Sequence, residues 1–178
     1  AAGARVIGVV GGSAKVEVAR SLGADLVLDR RSEDFVAAVK EFTGGRGADV
    51  VFDPVGGEAY QRSTKCIAFE GRIIIVGFAG GEIQSATLSH ALVKNYAILG
   101  LHWGYYNEKD PAAVDAAQVI LNDMAEAGTL RPLVSERLGL AEVAGGIQRL
   151  GDGVTTGRVV YVSETSINAG SSKSGGTR

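Results

Sequence analysis

Six short apolar runs constrain this chain more than any other feature. They are Arg5–Val10, Asp25–Leu28, Asp49–Phe52, Arg72–Val76, Ala97–Leu101 and Arg158–Val162. Each is rich in Val, Ile or Leu, and none alternates regularly with polar residues. Runs of this kind suit strands buried on both faces, as in a parallel sheet covered by helices. Helical patterns separate the early runs, so strand and helix alternate from residue 5 to about residue 77. That order predicts right-handed βαβ crossovers and an α/β, Rossmann-like, doubly wound parallel sheet.

The helices are legible from faces and ends. Ala14, Val18, Ala19 and Leu22 predict one buried face, closed by Gly23. Ser32 is the expected cap of the next helix, with Glu33 and Asp34 near its positive end and Phe35, Val39 and Phe42 on its buried side. Gly44–Gly47 then forms a turn. Asp110-Pro111 reads as an N-cap and first helical residue, followed by a face of Val114, Ala117, Leu121 and Met124 that ends at Gly128. A last helix carries Val143, Ile147 and Leu150, and Gly145 and Gly146 within it cost roughly 1 kcal/mol each relative to Ala. From Ser163 the chain is small, polar and aperiodic, which predicts a disordered tail over 163–178.

Composition narrows the function. With 18 basic and 20 acidic side chains, the net charge of −2 gives no electrostatic case for nucleic acid or an anionic membrane. No apolar run approaches the length of a membrane span. Cys66 is the single cysteine, so no internal disulfide exists, and a reducing, cytoplasmic compartment is expected. It reads as a core residue on the apolar side of a helix. One cysteine and two distant histidines make no zinc site within this sequence.

The first turn tests for a dinucleotide site. A G-x-G-x-x-G loop between strand and helix cradles a pyrophosphate. Gly8, Gly11 and Gly12 fit no register of that pattern. The run Arg5–Val10 is therefore read as a second strand of such a fold.

The phrases TGGRGADVVFDPVGG, CIAFEGRIIIVGFAGGEI, LVKNYAILGLHWG and GTLRPLVSERLGLAEVAGGIQRLGDGVTTGRVVYV resemble the zeta-crystallin-like, zinc-free quinone oxidoreductase branch of the medium-chain dehydrogenase/reductase superfamily. The resemblance runs from about Gly3 to Val162. It implies that the sequence starts after the family's first strand and glycine-rich loop, and that the sheet lacks its first strand. It divides the chain into a truncated NADP-binding Rossmann domain over 1–128 and a C-terminal strip of the GroES-like catalytic domain over 129–162. A sheet open in its middle is expected to be marginally stable and self-associating, and the family pairs subunits along the strand at 97–101, which implies a homodimer.

The cofactor implied is NADPH. NAD enzymes place a carboxylate at the end of the second strand. Here that place is Val10-Gly11-Gly12, and Ser13, Lys15 and Arg30 stand ready for a 2′-phosphate. The competing reading makes Ser13 a helix cap and Lys15 and Arg30 surface charges. Asp53, Val55 and Gly56 end another strand, at the sheet edge where ligands of open α/β folds lie. By resemblance, Gly77, Phe78 and Ala79, and Leu101, His102 and Trp103, flank the nicotinamide. Phe78 and Trp103 either wall a flat acceptor's pocket or belong to core or interface, and His102 reads as structural or solvent-facing. The reaction implied is hydride transfer to an electron-poor quinone or enone by the complete protein, with this chain alone inactive. The alternatives are an enoyl reductase acting on acyl thioesters and a non-catalytic remnant that only folds or oligomerises.

Overall fold

The computed structural model describes residues 2–163; residues 164–178, most of the expected tail, lie outside them. The described chain divides into two compact units that meet in sequence between Ile120 and Leu121, inside one helix.

The first unit alternates strand and helix: β1 (Ile7–Val10), α1 (Ser13–Ser21), β2 (Leu26–Asp29), α2 (Phe35–Phe42), β3 (Ala48–Asp53), α3 (Gly57–Ser63), β4 (Ile67–Ile75), α4 (Leu88–Lys94) and β5 (Ala97–Gly100). A 3-10 turn and α5 (Tyr106–Lys109) then lead to α6 (Pro111–Glu126). All pairings are parallel, as expected for the runs without alternation. The strands form two separate sheets, β2-β1 and β3-β4-β5. In the expected doubly wound order, a first strand would lie between β1 and β3. None of the described residues fills that place, so β1 and β3 each keep an unpaired edge. Val50 and Phe52 on β3 are 52% and 65% exposed, whereas Ile73 on the central strand β4 is fully buried.

Two apolar clusters hold this unit. Leu28, Phe35, Val39 and Cys66 pack together, with Ile7 of β1 and Ala48 of β3 against them. This cluster ties the two sheets to one another through α2. Tyr60, Ile67, Ile73 and Tyr96 form the second cluster, between α3, β4 and the start of β5. Cys66 is buried as expected, but it lies in the turn between α3 and β4 and not on a helix. Burial pushes its thiol pKa up.

Three local expectations need correction. Asp34, not Ser32, caps α2, its carboxylate accepting the Val36 N–H at 3.1 Å. The chain turns once more after Ser32, which moves the helix start. The face proposed for α1 is not buried: α1 has no buried residue and Leu22 is 60% exposed. The face on α6 also includes no buried residue. Propensity and periodicity form these helices without supplying a covering surface.

The second unit contains β6 (Val134–Leu138), α7 (Val143–Gly151) and β7 (Arg158–Tyr161), with β6 and β7 paired in parallel. β6 escaped the sequence reading because VSERL mixes polar and apolar residues, as a half-exposed strand does. Gly146 of α7 packs closely on the Leu138 side chain of β6, so a Cβ here would push that side chain aside.

Candidate functional site

The predicted site residues gather at the carboxyl ends of the parallel strands of the first unit. Gly12, Ser13 and Lys15 follow β1, and Arg30 follows β2. Asp53, Val55 and Gly56 follow β3, Gly77, Phe78 and Ala79 follow β4, and Leu101, His102 and Trp103 follow β5. Parallel strands put all these turns on one edge, where ligands of open α/β sheets bind.

The turn after β1 is built on glycine and on one carboxylate. Gly12 has φ 109 and occupies the N-cap of α1 with no side-chain cap, so Ser13 is the first helical residue and not the cap. Asp29 Oδ1 accepts the Gly12 N–H at 2.9 Å and the Arg31 N–H at 3.0 Å. These two bonds, first Arg31 and then Gly12, hold the Asp29 carboxyl below its usual range, with the charges of Arg31 and Arg30 adding to the effect. Oδ1 of this carboxylate is therefore engaged by the backbone of the turn. Guanidinium groups lie close to its glycines: a Cβ on Gly11 would fall 3.2 Å from Arg30 Nε and Nη2, and one on Gly12 would fall 3.4 Å from Arg31 Nη1. Arg31 was not singled out from sequence; the doubled arginine after β2 was the available signal.

Arg30 and Arg31 also border an opening between the sheets. With Phe35, Glu58, Ala59 and Arg62 they line a cavity of about 210 Å³. Glu58, Ala59 and Arg62 belong to α3, so this cavity bridges the end of β2 and the helix after β3.

The turn after β3 is close-packed. Asp53 is 4% exposed, and its Oδ1 accepts the N–H groups of Val55 at 2.9 Å and Gly56 at 3.0 Å. Its Oδ2 is buried without a partner among the described residues, as are both amide atoms of Gln84. A Cβ on Gly56, φ 76, would fall 2.6 Å from Gln84 Oε1 and 2.8 Å from the Glu82 carbonyl. Gly56 thus lets residues 82–84 approach. The Ala79 N–H donates to the Pro54 carbonyl at 2.9 Å, and the Leu101 N–H to the Ile75 carbonyl at 2.9 Å. These bonds bring 53–56, 77–79 and the start of 101–103 together. Phe78 and Trp103 are both about half exposed; Trp103 packs on Tyr106 with ring centroids 5.1 Å apart, and exposed His102 stacks on Tyr105.

Among the described residues, no group of three His, Cys, Asp or Glu side chains could hold a metal, and no helix is long and apolar enough to cross a membrane.

Known proteins resemble this chain in sequence and fold. The zinc-binding dehydrogenase family matches residues 1–118. A quinone oxidoreductase-like protein 2 homolog from Nematostella vectensis is 36% identical over 159 residues, 89% of this chain and 43% of that protein. A 2-haloacrylate reductase from a Burkholderia species is 30% identical over 163 residues, 90% of this chain and 48% of that protein. The crystal structure of Escherichia coli quinone oxidoreductase complexed with NADPH superposes with a TM-score of 0.80 and 26% identity, over 90% of this chain and 50% of that one. The chain thus spans about half the length of the relatives it matches. From its match over residues 1–118 and these neighbours, this chain belongs to the zinc-binding dehydrogenase family, within the quinone oxidoreductase-like part of the medium-chain dehydrogenase/reductase superfamily.

Proposed function

We propose that this chain is the cofactor-binding part of an NADPH-dependent oxidoreductase that reduces a quinone or enone. The observation that carries this reading is the turn after β1. Its glycines carry no side chain, Asp29 Oδ1 is engaged by two backbone N–H groups, and the guanidinium groups of Arg30 and Arg31 lie close to Gly11 and Gly12. A carboxylate there would select ribose hydroxyls; cationic forks suit a 2′-phosphate. The NADPH held by the E. coli relative supports the same choice.

When bound, NADPH supplies a hydride for an electron-poor carbonyl or alkene. Ser13, Lys15 and Arg30 would hold the phosphorylated adenosine, and the backbone at Asp53–Gly56 the middle of the cofactor. Gly77, Phe78, Ala79, Leu101, His102 and Trp103 would border the nicotinamide and exclude water from it. The 2-haloacrylate reductase relative supports activated alkenes as a second acceptor class. In this reading the complete protein is zinc-free and cytoplasmic, and 129–162 belongs to its catalytic domain. Its subunits pair through 97–101, the β5 strand that lies at the edge of its sheet.

Titration of this chain with NADPH and NADH in a calorimeter tests the cofactor. NADPH should bind the more tightly, and Lys15→Ala should weaken it by ~1–3 kcal/mol, the range for a charge-assisted hydrogen bond, with little effect on NADH. Equal affinities in the unmodified chain would overturn the NADPH reading. Chelation and metal analysis of the active full-length protein tests the zinc-free reading, which stoichiometric, essential zinc would refute.

A further inference from the structure

A second cavity, of about 320 Å³, lies between α3 and α4. None of the residues assigned above to the cofactor lines it. Its volume is near the lower end for small-molecule sites, ~300–1,000 Å³. Tyr60 of α3 lines this cavity and is 2% exposed, and its hydroxyl is buried with no hydrogen-bond partner among the described residues. The nearby Tyr96 hydroxyl pairs instead with His90 Nδ1 at 3.1 Å. Burial first, then Tyr96 and the charge of Asp53, raise the pKa of the Tyr60 phenol. It therefore stays protonated, a donor in need of an acceptor.

The rest of the lining offers more donors and one sign of charge. Lys65, Ser85 and Thr87 border the cavity, and no Asp or Glu does. Thr87 is the N-cap residue of α4 yet makes no side-chain cap bond, which leaves its hydroxyl to other partners. Lys94 adds a second ammonium next to the cavity, its Nζ donating to the carbonyl of Thr64, another lining residue, at 3.2 Å. The complement of such a surface is a negatively charged oxygen acceptor. We propose that this cavity binds a small oxyanion, the carboxylate or phosphate group of a metabolite, with the Tyr60 hydroxyl and the Lys65 ammonium as its donors. The site is separate from the cofactor edge and does not depend on how that edge is read.

The test follows the amide resonances of this chain by NMR during titration with inorganic phosphate and with acetate, at constant ionic strength in chloride. At least one probe should saturably shift Thr64, Lys65, Ser85 and Thr87. Tighter phosphate assigns the site to phosphorylated ligands, and tighter acetate to carboxylates. Lys65→Gln should weaken the tighter probe by roughly tenfold, the equivalent of one charge-assisted hydrogen bond. Tyr60→Phe should weaken it by roughly threefold or more and, with no probe present, leave the urea midpoint unchanged or raised, because it removes a buried group without a partner. A hydroxyl with a merely structural role would lower the midpoint and leave binding unchanged, and that result would overturn the assignment. The exposed Lys65 variant keeps the test open should Tyr60→Phe fail to fold. Shifts confined to the turn after β1 would place the anion on the cofactor edge, and would sink this site while sparing the cofactor reading. No saturable response to either probe would sink it as well.

Discussion

The turns after β1 and β3 hold equivalent places on the sheet edge, yet they are built in opposite ways. Both are organised by an aspartate whose Oδ1 accepts two backbone N–H groups. Asp29 reaches across from β2, joining Gly12 to Arg31, and the guanidinium groups of Arg30 and Arg31 lie close to the turn's glycines. Asp53 folds its own turn, taking the N–H groups of Val55 and Gly56, and residues 82–84 close over it. One turn is prepared to recognise charge, and the other to present backbone at close range. Specificity should therefore be mutable at the first without loss of fold, and the second should be intolerant of any added atom.

The sharpest break of this contrast is alanine at each glycine. Both positions have positive φ, a cost of ~1–3 kcal/mol for a residue with a side chain. At Gly56 the new Cβ would also meet the Glu82 carbonyl at 2.8 Å, and overpacking adds ~1–3 kcal/mol. At Gly12 the nearest atom is the mobile tip of Arg31, which moves aside. Gly56→Ala should then cost roughly 2–6 kcal/mol in urea unfolding, and Gly12→Ala only the backbone part of that. Equal losses would show the two turns to be equally packed.

The carboxylates sharpen the comparison next. Asp53→Ala strands two N–H groups of a buried turn, and roughly 1.5–3 kcal/mol of stability should go with them. Asp29 gives a pH signature. Its folded pKa is depressed by the Arg31 and Gly12 N–H groups, so its stabilisation is complete above the unfolded value of about 3.9 and is lost as pH falls through the folded value. Asp29→Asn should be less stable than the parent by a constant amount above about pH 5, and the gap should close below about pH 4. Urea midpoints across this range decide it. A gap that is the same at every pH would mean that the charge of Asp29 contributes nothing.

The same contrast explains what was legible in the sequence. Strands rich in Val, Ile and Leu announce themselves even where they are left half exposed; β1 to β5 and β7 each overlap a run identified from sequence, although β4 begins at Ile67, five residues before its run. β6 did not, since Ser135 and Arg137 of a half-exposed strand interrupt its apolar residues. Gly12, Asp53 and Gly56 were legible as residues of strand-end turns because a sheet edge is defined by where strands end. The aspartate bonds were not, because the partner of Gly12 lies 17 residues away in sequence. Arg31 was missed for a related reason: only the lock from Asp29 distinguishes it from any exposed arginine. The α1 face misled because periodicity reports amphipathicity and says nothing about whether a cover is present.

The smallest effect concerns what joins the two sheets. Arg62 of α3 donates from Nη2 to Asp34 Oδ1 at 2.8 Å, and its guanidinium lies 4.4 Å from the centre of the Phe35 ring. This pair connects the helix after β3 to the cap of the helix after β2. Its visibility overstates its strength, because Asp34 is 64% exposed and water screens the charge. The apolar cluster beneath, with Cys66 and Leu28 both under 5% exposed, removes far more surface from water. A double-mutant cycle of Arg62→Gln and Asp34→Asn should return a coupling of at most ~1 kcal/mol, within the range for exposed pairs. Part of the single Asp34→Asn effect should be absent, since asparagine still caps the Val36 N–H. A coupling above ~2 kcal/mol would mean that the ion pair, and not the buried cluster, holds the open-middled fold together, and the view of the cationic edge as free for ligand recognition would have to yield to a structural one.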